Sequence, residues 1–290
     1  MLKKATYAKI SLPQRQVKPL LQLYDVPHPL QPGRIIKGYD KAHALRTAHM
    51  CSAVAHALQA PLKKIPQYEV ACLLHDLGRA GLEQRLFGKI WSWARSNNIP
   101  TRPKEWRRKY PSTPYGRETE AFLTKYTLQL ENEGIRMNSW AGEQVEMRLG
   151  YARRLRRQCR SRQSEIHKLG VKWAPWMEKI MLYYYYPEKL KTSAHWIQQF
   201  AEILVACEQL EAYSNRQRGQ DYYTRSKENF TEAFQYLDQL YRKNVVSLLV
   251  RNTIRQLTAE GCFDRIFQAA CGRPISIKEQ RFLQSLTAVH

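Results

Sequence analysis

Apolar residues recur at helical spacing along nearly the whole chain, and no stretch alternates apolar and polar positions over the length of a strand. Ala44, Ala48, Cys51, Ala55 and Leu58 are the clearest case, marking the packed stripe of a helix expected from about Asp40, its N-cap, to about Leu58. Similar patterns predict helices over 67–78, 84–97, 115–133, 139–169, 174–186, 193–213 and 226–257, with two short ones beyond. An all-α fold follows, a helical bundle with a helical extension at its C-terminal side. Pro13, Pro19, Pro27, Pro29 and Pro32 remove backbone donors from residues 1–33, so that stretch is expected to be an arm along the surface and not a regular element. The sequence has no internal repeat.

The 290 residues, 43% hydrophobic, suffice for a substantial core in one large domain, or in a domain with an appendage. Lys plus Arg number 47 against 25 Asp plus Glu, a net charge of +22 that favours phosphate-rich partners or acidic surfaces and says nothing about fold. Arg148, Arg153, Arg154, Arg156, Arg157, Arg160 and Arg162 are concentrated in one segment, where 153, 156, 157 and 160 share a helical face and Leu155, Cys159 and Ile166 take the opposite one. Such a face is either simply solvated or binds phosphate, with Trp173, Trp176 and tyrosines 183–186 nearby to stack on unpaired bases. Nucleic acid is therefore one expected partner, although no helix-turn-helix, zinc-finger or RNP signature is present. Six cysteines without a C-x-x-C pair exclude a zinc ribbon and a disulfide framework and are expected to be reduced and buried. No apolar run nears the roughly 20 residues of a membrane span, and MLKKATYAKISLPQRQ lacks the apolar core of a secretory leader. A cytoplasmic protein with no membrane partner is expected.

CLLHDLGRAGLEQ, residues 72–84, sets His75 and Asp76 side by side where an apolar helix ends. Adjacent residues on a rigid helix end offer a divalent cation an imidazole and a carboxylate from different directions. Sequential helices tend to be neighbours, which makes His43 the natural third ligand. Glu208, in FAEILVACEQLEAYSNRQRG, is the fourth, because a lone charge in so apolar a helix would be costly. Without a metal, His75 and Asp76 would be a hydrogen-bonded helix terminus and Glu208 an ordinary salt bridge. His49 and His56 share a face that His43 does not and are expected to pack or to face solvent, while nothing around His167 or His195 marks them as ligands.

The order His43, His75-Asp76, then a distant acid resembles the H...HD...D pattern of the HD-domain metal-dependent phosphohydrolases. GYDKAHALRTAHMCSAVAHAL is similar to the first helix of the HD-GYP branch, the bacterial cyclic di-GMP phosphodiesterases. HDLGRAGLEQRLF resembles that branch's HDIGK stretch with Arg79 in place of lysine, and VACEQLEAYSNRQRG resembles its aspartate-bearing helix with the Arg-containing turn that follows. The resemblance covers about 34–230 and is strongest at its two ends. It implies an HD-type helical domain over 34–230, between the proline-rich N-terminal arm over 1–33 and a helical C-terminal extension over 231–290.

The chain also departs from that branch. In MEKIMLYYYYPEKL only Tyr186 and Pro187 survive of the Gly-Tyr-Pro loop, and Met177 and Glu178 stand where its histidine pair would be. Tyr110 and Pro111 lie near the place of a further histidine, and Glu208 replaces the last aspartate. The resemblance thus implies a reduced, degenerate HD-GYP-like site, with one divalent transition ion (Fe, Mn, Ni or Zn) held by His43, His75, Asp76 and Glu208. It implies hydrolysis of a nucleotide or cyclic-nucleotide phosphoester, with Asp76 positioning the nucleophile and Arg79 stabilising developing charge. Arg79 is also an expected substrate contact, Arg46 is expected to hydrogen-bond behind a metal ligand or to contact substrate, and Lys41 and Lys89 are weaker substrate candidates. The alternatives are an HD-like domain that binds a nucleotide or nucleic acid without catalysis, as sensor or scaffold, and an interaction module pairing through terminal helices such as KNVVSLLVRNTIRQL.

Overall fold

A computed structural model describes residues 8–216 and 229–286 of the chain. The fold is all-α, with 15 α-helices among the described residues. The only strands there are a two-residue antiparallel pairing of β1 (Val26–Pro27) with β2 (Ile35–Ile36). The backbone forms two compact units, each discontinuous in sequence. The first takes Lys41–His75 with the described parts of Met1–Leu20 and Ile166–His290, and the second takes Leu21–Asp40 and Asp76–Glu165.

In the first unit α2 (Lys41–Ala57) packs against α3 (Ile65–Leu74) and α11 (His195–Ser214). Ala44, Ala48, Cys51 and Ala55 of the expected stripe are fully buried, and their small side chains let the neighbouring backbones come close. Thr47, Met50 and Val54 are buried as well, so α2 is covered nearly all round. It ends just short of Leu58 because Gln59 takes the left-handed conformation at φ 52°. In α3, entered through Pro66 in its first turn, eight of the 10 residues are buried. Its buried polar exception, Glu69, accepts hydrogen bonds from Ser11 N (2.8 Å), Leu12 N (3.0 Å), Ser11 Oγ (2.8 Å) and Ser52 Oγ (2.6 Å). One carboxylate so ties the N-terminal segment to α2 and α3.

That segment corrects one expectation. Residues Gln14–Gln22 form a helix, α1, with Pro19 inside it. An interior proline costs about 3 kcal/mol. Burial of Val17 and Leu20 returns about 1.5–3 kcal/mol each, enough to hold the helix. On the C-terminal side α12 (Phe230–Arg242), α13 (Leu248–Ala259) and α14 (Asp264–Cys271) pack on α11, and α15 (Ile277–Gln284) packs on α13. The single helix expected over 226–257 is thus two, divided where Asn244 takes φ 54° and Ser247 caps the second. Its first residues, and the Arg-containing turn beyond 216, lie outside the described residues.

The second unit holds α4 (Gln84–Ser96), α5 (Pro103–Lys109), α6 (Glu118–Asn132), α7 (Ser139–Leu149) and α8 (Tyr151–Ser161). Its core packs Trp91 and Trp106 at a tilt against Phe122, with ring centroids 5.4 and 5.8 Å apart. The long helix expected over 139–169 is three: α7, α8 and α9 (Gln163–Lys168). Between the first two, a side chain at Gly150 would overlap the Glu146 carboxylate, which is folded back to meet Thr119 and Arg153. All six cysteines are buried and none is disulfide-bonded. No helix among the described residues is long and apolar enough to cross a membrane.

Glu69→Ala removes the acceptor of four donors, of which Leu12 N and Ser52 Oγ lie in the interior. Urea unfolding is expected to register a loss of about 3 kcal/mol, against about 1 kcal/mol for Ser52→Ala, which removes one bond. Equal stability of Glu69→Ala and wild type would refute the anchoring role.

Candidate metal centre

His43 lies in the first turn of α2, and His75 immediately follows the last residue of α3. The close approach of these helices brings the two Nε2 atoms to 3.2 Å, with the rings tilted at 60°. Each opposite nitrogen is tied off. His75 Nδ1 lies 2.7 Å from the Cys72 carbonyl, which can only accept, so this nitrogen carries the proton. His43 Nδ1 donates to the carboxylate of Glu211, which is fully buried on α11 and also receives Arg46 Nε at 2.6 Å and Asn215 Nδ2 at 3.1 Å. With Nδ1 carrying the proton, the neutral form of each ring directs its Nε2 lone pair at the other.

Two lone pairs at that distance repel unless positive charge stands between them. Asp76, next along the chain from His75, and Glu208 on α11 bring two carboxylates: one ligand atom from each of His43, His75, Asp76 and Glu208 lies within 4.8 Å of the others. The donor set fits a divalent ion. Two nitrogens each about 2.1 Å from a common ion are about 3.0–3.4 Å apart over octahedral to tetrahedral angles. Two imidazoles with two carboxylates suit Mn, Fe, Ni or Zn better than Ca or Mg, which prefer oxygen alone. His43, His75 and Asp76 are 2%, 6% and 4% exposed, so water screens their charges little.

Asp76 opens a short 3-10 turn, Leu77–Arg79, within the second unit. Its Oδ1 accepts from the Tyr151 hydroxyl at 2.9 Å, and its Oδ2 lies 3.4 Å from an Arg79 nitrogen that is also 3.7 Å from Asp40. A Cβ on Gly78 would stand 2.8 Å from the Tyr151 ring, so glycine is what lets that tyrosine reach Asp76. Arg154, buried, donates to the carbonyls of Gly78 and, at 2.9 Å, Ala80, and so holds the turn. Burial first, then the charges of Asp76 and Asp40, push the Tyr24 hydroxyl well above its ordinary value, so it stays neutral beside the turn.

The four expected ligands thus converge, and the extra methylene of Glu208 does not take its carboxylate out of range. Arg79 lies against Asp76, whereas Arg46 is engaged with Glu211. Lys89 is exposed on α4 without an ion pair among the described residues. Met177 is buried and Glu178 half-buried on α10 (Pro175–Leu182), outside the cluster. His49 Nδ1 accepts from Ile10 N at 3.1 Å, while His56, His167 and His195 are exposed. Of tyrosines 183–186, Tyr183 is buried and Tyr184 and Tyr185 are exposed.

Sequence reasoning missed Glu211, Tyr151 and the structural use of Arg154. For Glu211 a signal existed: it follows Glu208 by three residues as Arg46 follows His43, so each pair shares a helix face. For Tyr151, 75 residues from Asp76, none did. The clustered arginines find acids that the linear sequence hides. Arg153 pairs with Glu146 at 2.9 Å, and Arg154 and Arg157 both pair with Glu143 at 2.9 Å. Arg148 and Arg162 donate to the carbonyls of Thr101 and Leu23, at 3.1 and 3.0 Å.

Comparison of the chain with protein-family models, curated proteins and solved structures found no match.

Glu211→Gln keeps the shape of the side chain but removes the charge that orients His43. It is expected to weaken Mn²⁺ binding about 10–100-fold by titration calorimetry with the helical circular dichroism unchanged. Affinity within about twofold of wild type would mean that the carboxylate does not support the ring.

Proposed function

We propose that the chain is an HD-type metal-dependent phosphohydrolase acting on a nucleotide or cyclic-nucleotide phosphoester through a site of one ion. The observation that carries this reading is the 3.2 Å approach of two Nε2 atoms beside two carboxylates, a donor set that suits a divalent cation. The order His43, His75-Asp76, Glu208, which resembles the HD-domain pattern, and the net charge of +22, suited to a phosphate-bearing substrate, support it further.

A bound divalent ion would act as Lewis acid toward a phosphoryl oxygen and make a bound water more acidic. The chain's own residues do the rest. Asp76, held through Oδ1 by Tyr151, keeps a fixed acceptor for a proton of the attacking water. Arg79, 3.4 Å from Asp76 and only partly exposed, supplies positive charge for the phosphoryl oxygens. Glu211 and the Cys72 carbonyl hold the two imidazoles in the tautomer that ligation needs. Arg46 acts through Glu211, not on substrate.

One observation favours a second reading. Arg79 already faces the carboxylates of Asp76 and Asp40, which suits a metal-holding domain that binds a nucleotide without cleaving it.

Protein purified without chelator, assayed for metal and against a panel of phosphomonoesters and phosphodiesters, separates the two. The hydrolase reading expects about one ion per chain and turnover of at least one ester; His75→Ala should lose the ion and at least about 10³ of the rate. A metal-loaded wild type that binds nucleotides but cleaves none would establish the second reading. A metal-free protein inert on every ester would overturn the first.

A further inference from the structure

On α8 much of the positive charge is spent on Glu143 and Glu146, and unspent charge lies elsewhere in the second unit. Arg95 on α4, Arg108 and Lys109 on α5 and Lys125 on α6 are all exposed, and none has a carboxylate partner among the described residues. Arg95, Asn98, Thr101, Glu105, Arg108 and Lys109 line one concavity. Its one acid, Glu105, has Arg102 at 3.7 Å.

Aromatic rings continue this basic hollow. Lys109 Nζ donates to the Asn98 carbonyl at 2.7 Å and lies 5.9 Å from the ring of Tyr110. Lys125 Nζ is 5.1 Å from the same ring and 5.9 Å from that of Tyr126. The two tyrosine hydroxyls are 2.5 Å apart, and Trp93 meets Tyr126 edge-on with centroids 5.8 Å apart. Trp93, Tyr110 and Tyr126 are all half-buried, so part of each ring faces solvent.

Free cations next to partly open aromatic rings form the pattern that holds single strands, since phosphates take the charge and unpaired bases take the rings. We infer that this face of the second unit binds single-stranded nucleic acid, with Arg95, Arg108, Lys109 and Lys125 meeting phosphates and Trp93, Tyr110 and Tyr126 meeting bases. A concave hollow with cations set against ring faces favours this partner over an anionic lipid surface, which takes a helix with a continuous apolar face of Trp, Phe and Leu to bury. None of these residues belongs to the metal cluster, so either proposal can fail while the other stands.

Fluorescence anisotropy with the full chain and a labelled mixed-sequence strand of about 12 nucleotides tests the inference. The combined variant Arg95→Glu, Arg108→Glu, Lys125→Glu changes exposed side chains only, and its fold is checked by thermal melting followed by circular dichroism. It is expected to bind about tenfold or more weakly, and to lower the slope of log affinity against log salt by about 2, three phosphates at about 0.7 each. An abasic strand of the same length should bind wild type about tenfold more weakly, because its bases are gone. Equal affinity of the folded variant and wild type, or of the abasic and normal strands, overturns the inference. So does binding of anionic vesicles without binding of the strand.

Discussion

Two imidazole Nε2 atoms 3.2 Å apart in a buried place are the constraint on which the rest of the site depends. Neither ring can turn away from the other. Rotating His43 would abandon the Glu211 carboxylate, and rotating His75 would abandon the Cys72 carbonyl. Each of those partners is itself fixed, the first by Arg46 and Asn215 and the second by the last turn of α3. The repulsion between the rings is thus built in by hydrogen bonds around them, and a cation relieves it. Asp76 and Glu208 add two carboxylates to the cluster, and a divalent ion offsets more of that negative charge than a single proton shared by the rings would.

The small residues of α2 and the apolar run of α3 serve the same end. Ala44, Ala48, Cys51 and Ala55 allow the close helix packing that carries His43 to His75. A bulky side chain in that stripe would separate the helices before it touched either histidine. Beyond His75, Tyr151 and Arg154 hold the turn of Asp76 within its own unit, at positions that a glycine, Gly78, leaves room for.

The helical class and the four cluster residues were legible in the sequence because both depend on local signals. Period 3.6 marked the elements, and a histidine-aspartate pair at a helix end marked the chemistry. What stayed hidden depends on residues far apart in the chain. The α1 helix forms in spite of Pro19 because Val17 and Leu20 are buried, and the helix expected over 139–169 is interrupted at Gly150, where the folded-back Glu146 carboxylate leaves no room for a side chain. The arginines of α8 looked uncompensated because Glu143 and Glu146 stand on another helix. Glu211 was within reach of pattern reasoning, one turn past Glu208, but only a known direction for the His43 ring gives it a task.

The central claim is that His43 and His75 share one ion. X-ray absorption at the metal edge of protein loaded with one equivalent of Mn²⁺ or Zn²⁺ tests it most directly. The account predicts scattering from two imidazole nitrogens about 2.0–2.2 Å from the metal, falling to one in His43→Ala. A first shell of oxygen alone, the same in wild type and His43→Ala, would contradict it.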